Sequence, residues 1–214
     1  DAYVARLQQD LTIDDNLTVA WDVGNGAVGD TLAKLVPHLP GTHHLLNAEV
    51  DGHFPAHHPD PTVPENLVQL QQTVRQKECD LGVAFDGDGD RIGVIDGQGR
   101  ILWGDQLMVL IARDVLERNP GAPVISDVKA SQILFDAIAE AGGKPVMWKT
   151  GHSLIKAKMQ ELGAPVAGEM SGHIFFKEGW YGFDDALYAA LRVLDILTRK
   201  GQRLSDFAES LPVL

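Results

Sequence analysis

Short apolar runs bounded by glycine, proline and polar residues alternate along the chain with longer stretches whose apolar residues recur every three or four positions. Tyr3-Val4-Ala5-Arg6-Leu7 has helical spacing, Leu17 to Trp21 predicts a strand, Ala27 to Val36 a helix, and Leu45-Leu46 the centre of a second strand. The segment Phe54 to Pro61 holds too many prolines for either regular structure. Thr62-Val63-Pro64-Glu65 then offers a capping box to a helix with Leu67, Leu70 and Val74 turned inward. Leu81 to Phe85 and Ile92 to Ile95 read as buried strands, and Asp96-Gly97-Gln98-Gly99 as the hairpin turn that closes a first unit near residue 100.

The alternation then repeats. Helices are predicted over Asp105 to Arg118, Ser131 to Ala141 and Ser153 to Leu162, with strands Pro123 to Asp127 and Pro145 to Trp148 between them. Val166 to Met170 and His173 to Lys177 follow as strands joined by a short turn, and a helix from Asp184 to Arg199 presents Leu187, Leu191 and Leu194 on one face. Strands alternating with helices mean sheets covered on both faces. The expected fold is α/β, two consecutive three-layer α/β/α domains with mixed, mostly parallel sheets, over residues 1–102 and 103–214. Such units leave a cleft at their strand ends, where ligands bind in open α/β sheets.

At 214 residues and 44% hydrophobic, the chain buries a core without needing disulfides or a structural metal. Cys79 stands alone, and neither a signal-peptide pattern nor an 18-residue apolar stretch is present, which together point to a reducing cytoplasm. The formal net charge of −12 argues against nucleic acid or an anionic membrane as partner. The imbalance is concentrated: residues 1–100 carry 6 basic and 16 acidic side chains, residues 101–214 carry 12 and 14. The first unit gathers carboxylates and the second holds most of the cations.

The chemistry centres on Asp86-Gly87-Asp88-Gly89-Asp90-Arg91, three carboxylates at alternate positions between two apolar strands, followed by a guanidinium. Glycine spacers let the loop bend so that the carboxylates converge on a shared cation. Oxygen ligands favour Mg²⁺, with Ca²⁺ or Mn²⁺ as alternatives, over zinc. An EF-hand is excluded, because its sixth position needs glycine and its twelfth glutamate, and here these are Arg91 and Gly97. A haloacid-dehalogenase-type phosphatase needs Thr or Val where Asp90 stands.

Five other constellations carry candidate chemistry. Gly24-Asn25-Gly26-Ala27-Val28-Gly29 matches the dinucleotide fingerprint, with Glu49 and Asp51 downstream, and makes an NAD-dependent dehydrogenase a competing reading; its structural counterpart is a tight strand-to-helix turn. His53, His57 and His58 invite zinc, but lie in a proline-rich loop without the spacing of a zinc site. Lys149-Thr150-Gly151-His152-Ser153 follows a strand and opens a helix, so its amides favour an anion, with Ser153 as a candidate N-cap. In Gly168-Glu169-Met170-Ser171-Gly172-His173, Glu169 and Ser171 suit sugar hydroxyls, which donate and accept hydrogen bonds. Asp127-Val128-Lys129 ends a strand, so Lys129 is expected on the same loop face.

Taken together, Phe85 to Arg91, Asp127-Val128-Lys129, Lys149 to Ser153 and Gly168 to His173 resemble the α-D-phosphohexomutase superfamily, and the Glu-Met-Ser-Gly form its bacterial phosphomannomutase/phosphoglucomutase branch. The resemblance covers the whole chain and implies the second and third domains of a four-domain enzyme that interconverts sugar 1- and 6-phosphates through a bisphosphorylated intermediate. It implies that Asp86, Asp88 and Asp90 hold Mg²⁺, that Arg91 steadies the phosphate, and that Glu169 and Ser171 grip sugar hydroxyls. Lys129, His152 and His173 would contact substrate oxygens, with His173 or a lysine of the first domain as general acid/base. The partners implied are a phosphorylated hexose and the first and fourth domains, which would bring the phosphoserine and a phosphate-binding loop; without them the isolated chain is expected to be inactive. The competing reading from another class is a non-catalytic metal- or carbohydrate-binding module.

Overall fold

The central strands are buried along nearly their whole length, and only the strands at one edge of each sheet are partly exposed, so both sheets are covered on both faces. In the computed structural model, which describes residues 2–212, the first sheet is built from Thr18–Asp22 (β1), Thr42–Leu46 (β2), Leu81–Phe85 (β3), Ile92–Asp96 (β4) and Ile101–Leu102 (β5), in the order β2-β1-β3-β4-β5. Its β2-β1-β3 part is parallel, and β4 and β5 add antiparallel through short turns. The second sheet contains Pro123–Asp127 (β6), Lys144–Trp148 (β7), Val166–Gly168 (β8) and Ile174–Phe176 (β9), ordered β7-β6-β8-β9, with only β9 antiparallel. Both sheets are therefore mixed, with parallel strands in the crossover part and antiparallel strands where a turn returns the chain directly.

The helices are Ala2–Leu7 (α1), Gly29–Leu35 (α2), Val68–Gln76 (α3), Gly104–Arg118 (α4), Gln132–Glu140 (α5), His152–Leu162 (α6), Ala186–Lys200 (α7) and Leu204–Ser210 (α8). Ala20, Ala84 and Ile95 face Leu70 and Val74 of α3, while Ile125, Ala167 and Phe175 face Ile155 and Met159 of α6. The opposite faces of both sheets meet in one cluster. Trp21, Val83, Phe85 and Val94 from the first sheet and Val124, Val166 and Phe176 from the second pack with residues of α4 and α7. This explains a departure from the expected pattern of α7. Every residue from Ala186 to Leu197 is buried, because the helix is covered on more than the one face marked by Leu187, Leu191 and Leu194.

Local corrections have local causes. The capping box does not form: Asp60 Oδ1 takes both the backbone N–H (2.9 Å) and the hydroxyl (2.6 Å) of Thr62, and Pro64–Leu67 is a 3₁₀ turn leading into α3. Gly151, not Ser153, precedes the first helical residue of α6. Strand β8 ends at Gly168, which leaves Glu169 and Met170 in a turn. Helix α8 was not anticipated from the pattern. The terminal residues 1, 213 and 214 of the two expected units lie outside the described residues. Among the described residues no helix is long and apolar enough to cross a membrane.

Candidate active site

Where β3 ends, the chain winds around the first of its own carboxylates. Asp86 Oδ1 accepts the backbone N–H groups of Gly89 (3.0 Å), Asp90 (3.1 Å) and Arg91 (3.1 Å), and Oδ2 accepts Arg91 Nε at 2.8 Å. Gly89 sits at φ +81°, the left-handed conformation that the tight loop demands. One ligand oxygen from each of Asp86, Asp88 and Asp90 lies within 4.8 Å of the other two. Asp86 is buried, Asp90 half-buried and Asp88 exposed.

The electrostatics of this loop are those of a site short of positive charge. Burial alone would raise the Asp86 carboxyl, but hydrogen bonds from Arg91 outweigh it and hold the group below the usual carboxylate range. Asp90 goes the other way, pushed up to about 6 by burial and by the neighbouring Asp86. Three hard oxygen donors, one of them reluctant to ionise beside the others, fit a hard divalent cation.

The facing loop is equally tight. Glu169, buried at the end of β8, accepts Gly151 N–H with Oε1 (2.5 Å) at the head of α6, so the anion at this helix start is one the chain supplies itself. Its Oε2 stands 3.2 Å from His173 Nδ1, and Ser171 Oγ stands 3.0 Å from the same nitrogen. On its other side His173 Nε2 is 3.3 Å from Asp90 Oδ1. Burial would lower the His173 pKa, but the Glu169 hydrogen bond and the charges of Asp90, Glu169 and Asp184 raise it. The backbone fixes this meeting of loops: Arg91 and His173 form an antiparallel bridge, and Ile92 N–H donates to Gly172 O at 3.1 Å. Ala186 N–H donates to Gly89 O at 3.1 Å, a second stitch between the halves of the chain.

His152 stacks on His173 with ring centroids 5.6 Å apart, and its Nδ1 is 3.4 Å from Asp184 Oδ2. The structure thus brings Asp86, Asp88, Asp90, Arg91, His152, Glu169, Ser171 and His173 to one face. Lys129 is not part of this network. It is exposed and makes no hydrogen bond or ion pair among the described residues, while Asp127 of the same motif accepts the Thr150 hydroxyl (3.0 Å) and Met170 N–H (3.1 Å). An open cavity of about 270 Å³ lies against the acidic loop, lined in part by Asp88, Asp90, Phe183 and Asp184.

Sequence reasoning missed three of the residues that organise this face. In the apolar pattern Asp184 marks only a helix start, although Asp184-Asp185 offers one carboxylate to cap α7 and one to spare; Asp185 accepts Tyr188 N–H at 2.9 Å. Lys156 lies one helical turn after His152, a visible i, i+4 spacing, and its Nζ is 3.0 Å from Asp184 Oδ1. Asp60, 3.2 Å from Arg91 Nη1, has no local signal beyond its carboxylate, whereas Asp127 belongs to a motif that pointed to Lys129 and itself ties Thr150 and Met170 together. The glycine-rich turn takes the structural reading. A β-carbon on Gly29 would stand within van der Waals overlap of Ala48 O, and Ala27 N–H donates to Gly87 O (2.9 Å), so the turn packs against Ala48 and buttresses the acidic loop. His57 Nε2 pairs with Asp22 Oδ2 (2.8 Å) and His53 with Asp51, away from one another's ligand geometry.

Two α/β units with a candidate divalent-cation loop set against a polar, sugar-compatible loop define the class. The family description "Phosphoglucomutase/phosphomannomutase, alpha/beta/alpha domain II" matches residues 1–99, and the description of domain III matches residues 103–213. The chain belongs to the phosphoglucomutase/phosphomannomutase family, within the phosphohexomutase superfamily, and carries these two central domains. It is 50% identical over 212 residues to a phosphomannomutase/phosphoglucomutase of Pseudomonas syringae pv. tomato, covering 99% of this chain and 46% of that protein. It is 50% identical over 196 residues to a phosphoglucomutase of Neisseria gonorrhoeae, covering 92% and 42%. A crystal structure of a phosphoglucomutase/phosphomannomutase family protein from Burkholderia thailandensis superposes with a TM-score of 0.94 at 46% identity, over 100% of this chain and 46% of that one. The chain spans a little under half the length of these relatives.

Proposed function

We propose that the chain is the metal- and sugar-binding centre of a cytoplasmic hexose-phosphate mutase that interconverts the 1- and 6-phosphates of mannose and glucose through a bisphosphorylated intermediate. The observation that carries this reading is His173, held between Asp90 of the acidic loop and Glu169 of the polar loop at 3.3 and 3.2 Å. One imidazole thus touches the residues assigned to the phosphoryl end and those assigned to the sugar. The metal unit takes residues 1–102 and the sugar unit residues 103–214, and the lone buried thiol of Cys79 suits a reducing compartment.

Asp86, Asp88 and Asp90 hold the cation, taken here as Mg²⁺ from their all-oxygen chemistry. When bound, it neutralises charge on the transferring phosphoryl group. Arg91 keeps Asp86 ionised and oriented through its Nε contact and steadies the phosphoryl oxygens. Glu169 is rigidly placed by the Gly151 amide and receives a sugar hydroxyl proton in a hydrogen bond; Ser171 adds a second polar contact. His173, whose pKa the Glu169 hydrogen bond and the charges of Asp90, Glu169 and Asp184 raise, is the candidate acid/base at the sugar oxygen, with His152 stacked on it; Lys129, exposed beyond β6, is a further candidate substrate contact. The phosphoserine and a phosphate-gripping loop belong, in this reading, to the remaining length of the relatives, so the chain by itself turns nothing over.

The test uses the full-length parent in a coupled assay for glucose 1-phosphate conversion. Asp88→Asn should abolish Mg²⁺ heat in titration calorimetry and lower kcat by ~10²-fold or more, since such cations supply several kcal/mol of charge stabilisation. Glu169→Gln should raise KM for the sugar phosphate and leave Mg²⁺ binding alone. Full turnover by Asp88→Asn would refute the reading.

A further inference from the structure

Asp184 is the clue. Its side chain is only 8% exposed, Lys156 occupies Oδ1 at 3.0 Å, and Oδ2 is buried with no hydrogen-bond partner. That oxygen faces His152 Nδ1 at 3.4 Å and His173 Nε2 at 4.0 Å, and His173 Nε2 is itself 3.3 Å from Asp90 Oδ1. One ligand atom from each of Asp90, His173 and Asp184 lies within 4.8 Å of the other two. Neighbouring ligands on a tetrahedral Zn²⁺ with bonds near 2.1 Å stand about 3.4 Å apart, a value that the 3.3 and 4.0 Å spacings at His173 Nε2 bracket.

The orientation of His173 completes the argument. Glu169 Oε2, a carboxylate oxygen, faces His173 Nδ1 at 3.2 Å beside Ser171 Oγ at 3.0 Å, so a proton on that nitrogen has an acceptor there and leaves Nε2 free to ligate. A histidine that gives one ring N–H to a buried carboxylate and turns the other nitrogen toward two further carboxylates has the arrangement that orients metal-binding imidazoles. Nitrogen plus two oxygens is a borderline donor set, unlike the all-oxygen set of Asp86, Asp88 and Asp90.

We propose that Asp90, His173 and Asp184 form a second cation site, taking a borderline divalent ion such as Zn²⁺, beside the acidic loop and sharing Asp90 with it. An ion there occupies the Nε2 atom of His173. It also places Asp90 between two cations, as bridging carboxylates stand in two-metal centres. The inference rests on the geometry alone and does not require the parent to be a mutase.

The probe is Zn²⁺ added to the ¹⁵N-labelled chain in excess Mg²⁺, read from the imidazole nitrogens of His173 by long-range proton–nitrogen correlation. Expected are a shift of His173 Nε2 to the metal-bound range, a Zn²⁺ affinity at least tenfold weaker in Asp184→Asn, and retention of the His173 shift in Asp88→Asn, which disables only the all-oxygen site. His173→Gln serves as a second variant and should likewise lose the tight Zn²⁺ equivalent. Unchanged His173 nitrogens in wild type, or Zn²⁺ binding that Asp88→Asn abolishes and Asp184→Asn leaves intact, overturn the proposal.

Discussion

Gly172→Ala probes the stitch between the two loops. Gly172 sits at φ +97°, its carbonyl accepts Ile92 N–H at 3.1 Å, and a β-carbon there would crowd the carbonyl oxygen of Ile92 to 2.4 Å. Left-handed backbone costs a residue with a side chain about 1–2 kcal/mol. The crowded atom is backbone, so no rotamer change relieves it; the bridge must open, giving up a hydrogen bond of about 1 kcal/mol. Together these come to roughly 3 kcal/mol, or a fall in Tm of roughly 6–12 °C at about 2–4 °C per kcal/mol for a chain of this size. Gly121→Ala is the control: φ is +77° but nothing lies within 4 Å of its β-carbon, so it carries strain alone and should lose about 1 kcal/mol. Scanning calorimetry on both variants measures the difference. Equal Tm losses would show that the contact with Ile92 contributes nothing, and unchanged Mg²⁺ affinity in Gly172→Ala would show that the acidic loop does not depend on the bridge.

Other outcomes follow from the electrostatics. The folded pKa of Asp90, about 6, lies above its ordinary value near 4, so in the metal-free chain its contribution to stability is present below pH 4 and lost as pH rises through 6. Urea midpoints of wild type minus Asp90→Asn should trace that loss, and Mg²⁺ affinity by calorimetry should weaken as pH falls below about 6. Burial would raise the Asp114 carboxyl, but Arg118 and Arg199 hold it low, so its stabilisation is present above pH 4 and lost as pH falls through the depressed value. Asp114→Asn should cost about 3 kcal/mol by leaving buried Arg192 and its neighbours short of an anion, and should flatten the acid limb of stability measured by urea unfolding. Cys79 is buried with its pKa pushed up to about 11, so thiol reagents at neutral pH should label it only when the chain unfolds.

The acidic loop was legible because its chemistry is written in consecutive residues: Asp86 folds its own loop around itself with amides three to five positions away. The polar turn was legible for the same reason, since Glu169, Ser171 and His173 meet within four residues. What joins them was not. The pairing of Arg91 with His173 spans the two units, and Asp184 reaches the site only because α7 is packed there by a core drawn from both sheets. Local rules failed where a tertiary partner competed, as when Asp60 took the hydroxyl that Thr62 would have turned to its helix. The glycine-rich turn carried a genuine physical message, close backbone approach, but its partner was Ala48 and the acidic loop instead of a pyrophosphate.

The layer formed by α4 and α7 has a consequence for how such chains recombine. A crossover at the seam between the two sheets separates Val83, Phe85 and Val94 from the helices that cover them. A chimera joining halves from diverged parents therefore inherits a core assembled from two unmatched surfaces. Such hybrids should fold only when the residues of α4 and α7 travel with the first sheet's inner face, so that the genetic unit of exchange is the pair and not the single α/β half.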